Sequence, residues 1–189
     1  LFSGNLGHTG PPHDIAFSPD GTLIATGGED QKAKVWDPLT GQVLYTLSGH
    51  TVDINSVAFS PDGTRLATAG YDYTARIWDI TPMKESLFIP MDPDWSWNVK
   101  YSPDGTRLLT DDPTKNSAKA WNAVSGEDVL TLTGFTDQPI YNIAYSPDGK
   151  LIAGSSDRVI IVWDAQTGQQ RVTLNGHTNY SSIAFSPDG

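Results

Sequence analysis

Serine, histidine and aspartate, the residue types of a nucleophilic triad, recur along this chain at fixed intervals. His8, His50 and His177 each stand nine or ten residues before a serine, at Ser18, Ser60 and Ser186. Asp30, Asp72 and Asp157 each stand six residues before a tryptophan, at Trp36, Trp78 and Trp163. A threonine lies ten residues before the first two of these tryptophans, at Thr26 and Thr68. In a hydrolytic triad an imidazole activates a hydroxyl and a carboxylate orients the imidazole, and one such set serves one site. A set that returns with every repeat is instead a means of construction, and no catalytic residue is assigned. The residue types suit a closed hydrogen-bonded network, because indole N–H only donates, carboxylate only accepts, and imidazole and hydroxyl do both.

The elements that carry these residues are themselves repeated. Ser-Pro-Asp-Gly begins at Ser18, Ser60, Ser102, Ser146 and Ser186, in steps of 42, 42, 44 and 40 residues. Trp36-Asp37, Trp78-Asp79, Trp121-Asn122 and Trp163-Asp164 keep the same beat. Two motifs on one period mean one structural unit copied along the chain. Each copy reads as four short strands. Ile54 to Phe59 is a first strand, and the Ser-Pro-Asp-Gly after it is a tight turn, in which Pro presets φ and Gly accepts positive φ. Leu66 to Thr68 and Thr74 to Trp78 follow, separated by the turn Gly70-Tyr71-Asp72-Tyr73. A glycine five residues after the tryptophan (Gly41, Gly126, Gly168) turns the chain into a fourth strand such as Gln42 to Leu47. The expected fold is all-β, with one antiparallel four-stranded sheet per repeat. Radial stacking of such sheets buries both faces of each.

Composition narrows the function. The 189 residues carry a net charge of −10, which repels nucleic-acid phosphate and anionic membrane surfaces. Neither is an expected partner. There is no cysteine, hence no disulfide, no thiolate metal site and no cysteine nucleophile. No apolar run approaches the ~20 residues of a membrane helix. There is no phosphate-binding glycine loop and no zinc spacing, so no cofactor is expected. Pro93 interrupts the acidic pair Asp92 and Asp94, which argues against a calcium loop.

The motifs Gly49-His50, Val57-Ala58-Phe59-Ser60-Pro61-Asp62-Gly63, Thr68, Asp72 and Trp78-Asp79 resemble those of the WD-repeat β-propeller family. Gly7-His8, Thr26, Asp30 and Trp36-Asp37 resemble them again in the first copy. The resemblance covers essentially the whole chain and implies a partial propeller, an open arc of about four blades. It would form one segment over residues 1–189, with repeats at about 7–48, 49–90, 91–133 and 134–175 and a partial fifth at 176–189. Most members close with about seven blades, so the chain reads as an excerpt of a longer protein. Open ends of such an arc would favour self-association. The resemblance also implies a structural tetrad within each blade: His8, Thr26, Asp30 and Trp36 in the first, His50, Thr68, Asp72 and Trp78 in the second, and Asp157 with Trp163 in the fourth. The copies are uneven. The fourth has Phe135 where histidine is expected and a turn one residue shorter. The third lacks Gly-His, ends in Trp121-Asn122 and has an enlarged polar second turn from Asp111 to Ser117, which marks it as the least regular blade.

If shared residues build the frame, recognition lies in what differs between copies. In this family the positions flanking the opening residue of the first strand, and the one before the turn aspartate, face one rim. They are Pro11, His13 and Glu29 in copy one and Asp53, Asn55 and Tyr71 in copy two. Copy three supplies Trp95 and Trp97, copy four Pro139, Tyr141 and Ser156, and the fifth Asn179 and Ser181. Four of the six tryptophans belong to the repeat; Trp95 and Trp97 do not. With Tyr71 and Tyr141 they are candidate contact residues for a protein or peptide partner, since aromatic side chains anchor interfaces. Asp53 and Asn55 are their polar neighbours. An alternative for Trp97 is inward packing in place of the missing histidine. The expected function is a non-catalytic interaction scaffold. The alternative is a regulatory or sensing module of a larger protein with its catalytic domain elsewhere.

Overall fold

In the computed structural model, residues 7–81, 84–91, 96–136, 138–176 and 182–188 are described. They form two compact units, Leu1–Pro93 and Asp94–Gly189. Each unit holds two four-stranded antiparallel sheets, and every sheet draws its strands from one repeat.

In the first unit the first sheet is β1 (Pro12–Phe17), β2 (Ile24–Gly28), β3 (Lys32–Trp36) and β4 (Val43–Ser48). The second is β5 (Ile54–Phe59), β6 (Arg65–Gly70), β7 (Thr74–Asp79) and β8 (Lys84–Pro90). The second unit has β9 (Val99–Tyr101), β10 (Arg107–Asp112), β11 (Ser117–Asn122) and β12 (Asp128–Leu132), then β13 (Asn142–Tyr145), β14 (Leu151–Ser155), β15 (Val159–Asp164) and β16 (Gln170–Asn175). Strands pair in chain order, as hairpin connections require.

The turn chemistry explains the hairpins. Between β1 and β2 the Ser18 hydroxyl donates to Asp20 at 2.6 Å and accepts from the Leu23 N–H at 2.9 Å. Gly21 closes that turn at φ 71°, where a side chain would be strained. The turn recurs at Ser60, Ser102 and Ser146, each serine buried. The pairing of third with fourth strand slips at every repeat tryptophan: between Val35 and Trp36, Ile77 and Trp78, Ala120 and Trp121, and Val162 and Trp163. Such bulges re-aim a side chain, and here they fall where the indoles must leave the regular pleat.

Middle strands are buried on both faces and read as nearly continuous small and apolar residues. β6, for example, is buried from Leu66 to Gly70. In the first unit β5 lays Ile54, Val57 and Phe59 against Ala25, Ala33, Val35 and Leu47 of the first sheet. In the second unit Ile140, Ile143 and Ile152 meet Leu109, Ala118, Ala120 and Leu132. Full burial of one such aliphatic side chain contributes about 1.5–3 kcal/mol. Polar links join the sheets within each unit. Asp14 of β1 accepts from the Ser56 hydroxyl and the Val57 N–H of β5, both at 2.9 Å. Asn98, at the same phase of its repeat, donates its side-chain N–H to the Tyr141 carbonyl at 3.0 Å.

The third sheet departs from the sequence reading. Asp111 and Asp112 belong to β10 and Ser117 to β11, so the expected turn from Asp111 to Ser117 shrinks to residues 113–116. Asp112 stays in the strand because its carboxylate caps that turn, accepting from the Lys115 N–H at 3.0 Å.

At Gly27 the two sheets of the first unit approach so closely that an added Cβ would stand 2.5 Å from Ile54 Cγ2 and 3.0 Å from Val57 Cγ1. Gly27→Ala is expected to destabilise that unit by about 1–3 kcal/mol, read in chemical denaturation with the second unit unaffected.

Candidate functional site

The polar residues of the first two repeats close into matching networks. In the first sheet the Trp36 indole N–H donates to Thr26 Oγ1 at 2.7 Å, His8 Nε2 lies 2.7 Å from that hydroxyl, and His8 Nδ1 lies 2.7 Å from Asp30. The second sheet repeats this. Trp78 donates to Thr68 at 3.0 Å, and His50 reaches Thr68 at 2.7 Å and Asp72 at 2.9 Å. Only one proton arrangement satisfies every partner. The indole donates to the threonine oxygen, the threonine hydroxyl donates to Nε2, and Nδ1–H donates to the carboxylate. Asp30 also accepts from the Thr9 N–H, and Asp72 from the Thr51 N–H and the Thr74 hydroxyl. Burial opposes charge on Asp72, but the hydrogen bonds from His50, Thr74 and Thr51 prevail and hold the carboxyl down to about 2. Thr68 and the His50 side chain are fully buried.

The fourth sheet is built differently, and Asp157 and Trp163 do not take part in a network of this kind. Gly154 occupies the threonine position, as its pairing with Ile161 shows by analogy with Thr68 and Arg76. The Trp163 ring fills the vacated space, with Cη2 2.9 Å from where a Gly154 Cβ would be. Phe135, in the histidine position, meets the indole edge-on at 5.8 Å between centroids. The indole N–H therefore turns to the main-chain oxygen of Thr133 at 2.9 Å, and Asp157 accepts none of these bonds. Loss of both polar partners together leaves nothing unsatisfied, which makes the exchange tolerable.

The third sheet keeps Trp121 on Thr110 at 2.9 Å but replaces the histidine arm. Here the buried carboxylate is Asp111. It accepts from the Ser96 hydroxyl at 2.6 Å, the Asn98 N–H at 2.7 Å and the Trp97 N–H at 3.3 Å. Ser96 and Asp111 are both buried. Three consecutive residues are thereby pinned to one carboxylate, and the middle one is Trp97. Its indole stacks on Tyr141, with centroids 5.4 Å apart and planes 13° from parallel. Among side chains, it is Ser96 and not the Trp97 indole that meets the buried carboxylate; the indole goes to the start of the fourth sheet. Both rings are half-buried.

The remaining rim residues fall as follows. Tyr71, Asp53 and Asn55 are half-buried at the start of the second sheet, and the Tyr71 N–H donates to the Asp53 carbonyl at 3.0 Å. His13 and Glu29 approach to 4.0 Å at the first sheet. Trp95, Asp92, Asp94, His177, Asn179 and Ser181 lie outside the described residues. Among the described residues no three His, Asp or Glu side chains are grouped to hold a metal ion, and no helix is long and apolar enough to cross a membrane. Sequence reasoning missed Asp111 as the organiser of the Trp97 segment. It also missed the inter-sheet links of Asp14 and Asn98, whose signal is a polar residue four before each Ser-Pro-Asp-Gly: Asp14, Ser56, Asn98 and Asn142.

The family model for the WD domain, G-beta repeat, matches residues 2–37, 41–79 and 126–164. With four antiparallel sheets each carrying the repeat tryptophan, the chain belongs to the WD40-repeat family, and its fold is all-β, consistent with a partial propeller. The stretch the family model passes over, 80–125, contains the first three strands of the third sheet, while β12 falls inside the last matched range. Protein tipD of Dictyostelium discoideum is 29% identical over 162 residues, 86% of this chain and 19% of that protein. The small ribosomal subunit protein RACK1 of Caenorhabditis elegans is 47% identical over 49 residues, 26% of this chain and 15% of that protein. The chain thus spans less than a fifth of the length of either relative.

Burial pushes the Asp111 carboxyl up to about 6 against the pull of Ser96, Asn98 and Trp97. A carboxyl whose pKa rises on folding favours the folded state most when protonated. Its contribution is full below about pH 4 and is lost as pH rises through 6. The second unit is therefore expected to lose stability between pH 4 and 6, on the order of 3 kcal/mol. Denaturant titrations across that range should show this slope, and Asp111→Asn should flatten it.

Proposed function

We propose that the chain is a non-catalytic protein-interaction scaffold that offers the first-strand rim of its sheets to a protein or peptide. The single observation that carries this reading is the Trp97–Tyr141 pair. The two rings belong to no repeated motif, stay half-exposed, and are held in one geometry by main-chain and side-chain bonds from Asp111 and Asn98. Rigid aromatic surface beside hydrogen-bonding groups is what interface anchors are made of, since little side-chain entropy remains to be lost on binding. In the first unit Tyr71, with Asp53 and Asn55 beside it, is the corresponding contact set, and Trp95, which lies outside the described residues, is proposed as a further contact residue. The family supports the class of function, because WD40 repeats generally serve as scaffolds for protein partners. The repeat networks support it too, because they lock hydroxyl and imidazole groups into the frame rather than presenting them.

A second contact surface lies on β1. Ile15 and Phe17 are each 61% exposed, whereas Val57 and Phe59, at the same phase of the next repeat, are buried against the first sheet. A further blade or a second copy of the chain fits that face. The short share of the relatives that the chain covers favours a companion reading: a regulatory or sensing module within a larger protein.

Affinity capture with wild type and with Trp97→Ala, Tyr141→Ala and Trp95→Ala tests the scaffold reading. The expected result is loss of about 2 kcal/mol or more of partner binding for Trp97→Ala and Tyr141→Ala, with folding retained. Unchanged binding in all three variants would remove the rim from consideration.

A further inference from the structure

Opposite the aromatic pair, at the far end of β13, the two sheets of the second unit part to leave a cleft of about 480 Å³. Arg107, Tyr145 and Ala165 form its interior, between the turns at Pro103-Asp104 and Asp148-Gly149. The first unit has the same three positions. Leu23 follows Ser18 by five residues as Arg107 follows Ser102. Phe59 directly precedes Ser60 as Tyr145 precedes Ser146, and Ile80 follows Trp78 by two as Ala165 follows Trp163. The backbone agrees, since the Ile80 N–H donates to Thr64 O and the Ala165 N–H to Lys150 O, both at 2.8 Å. In the first unit these positions are filled by packed apolar side chains, with Leu23 and Ile80 against the core that contains Phe59. In the second unit the same place carries a guanidinium, a phenol and a methyl group.

Each exchange costs stability unless it serves something. Ala165 gives up the apolar volume that Ile80 provides. The Tyr145 hydroxyl is buried and has no hydrogen-bond partner among the described residues, a cost of about 1–3 kcal/mol for a group of this kind. Burial also pushes it up to about 12, so it stays a protonated donor. The Arg107 side chain donates from Nη1 to the Ala165 carbonyl at 2.7 Å, which orients the fork, and its charge also acts on Asp104 at the mouth, more weakly than that carboxylate's bonds from Ser102 and Thr106. The carboxylates at the mouth are already engaged. Asp104 accepts from the Ser102 hydroxyl and from Thr106, and Asp148 accepts from Ser146 and pairs with Lys150 at 2.8 Å. What the cleft offers is a pre-oriented guanidinium beside a phenolic donor, in a recess with room for a small group. The complementary chemistry is a carboxylate, which a guanidinium fork grips in two places.

We propose that the Arg107–Tyr145–Ala165 cleft is a carboxylate-binding site, taking either the acidic side chain of a partner's loop or a free organic acid. It is separate from the aromatic rim, and Trp97→Ala leaves it intact, so the two readings fail independently.

The test is a ¹H–¹⁵N correlation titration of the chain with sodium glutarate, with acetyl-Gly-Glu-Gly-amide, and with its glutamine counterpart. The expected result is saturable shifts at Arg107, Tyr145, Gly149 and Ala165 with glutarate, the glutamyl peptide or both. The probe that saturates at lower concentration tells which source the site prefers. Arg107→Leu, which installs the side chain found at position 23, should weaken binding about tenfold or more, and Ala165→Ile should do so by filling the recess. Absence of saturable shifts with both acids overturns the proposal. So does an equal response to the glutamine peptide, or undiminished binding in the two variants.

Discussion

One hydrogen-bonded chain, indole to hydroxyl to imidazole to carboxylate, is the constraint on which the first unit depends. It ties four separate pieces of each sheet: the segment before the first strand, the second strand, the turn after it and the third strand. Every donor in it has an acceptor, and in the second sheet its histidine, threonine and tryptophan are shut off from water. In such surroundings a complete network is strong and an incomplete one is costly. The network therefore sets how each sheet folds upon itself, and the apolar faces that result set how neighbouring sheets pack within a unit.

The second unit shows what happens when that constraint is relaxed in two different ways. In the fourth sheet the polar partners vanish together. Phe135 and Gly154 let the Trp163 ring move into space that a threonine side chain would occupy, and the indole N–H settles on the Thr133 carbonyl. In the third sheet the carboxylate stays but changes place, from the turn into β10, and gathers Ser96, Trp97 and Asn98. Both solutions satisfy the buried groups. Only the second leaves an aromatic side chain fixed yet half-exposed, which is why the irregular sheet is also the candidate contact surface. The same unit replaces an apolar seam with Arg107 and Tyr145 at its other end. Departures from the repeat thus concentrate where the frame can absorb them.

Much of the frame could be read from residue order alone, because it rests on local chemistry. Ser-Pro-Asp-Gly encodes a turn through Pro and Gly backbone preferences, and β5 runs from Ile54 to Phe59, the bounds its residue pattern suggests. The His8 and His50 networks were visible as phased residue types. What escaped depends on contacts distant in sequence or on burial that composition does not reveal. The run from Asp111 to Ser117 looks like a long polar turn, and nothing local says that Ser96 and two backbone N–H groups will pull Asp111 into a strand. Trp163 looks like its counterparts until Gly154 and Phe135 are considered with it. Repeat phase puts Trp97 and Tyr141 at equivalent positions of neighbouring copies, five residues before Ser102 and Ser146, and so in one cluster; the parallel stacking of the two rings is what it does not specify.

The central claim is that the shared polar residues stabilise the sheets. Its most direct test is the unfolding free energy of Thr68→Val, which keeps the shape of the side chain while removing the hydroxyl between Trp78 and His50. The account predicts a loss of about 2–4 kcal/mol confined to the first unit, with the second unit unfolding as before. A variant as stable as the wild type would contradict it.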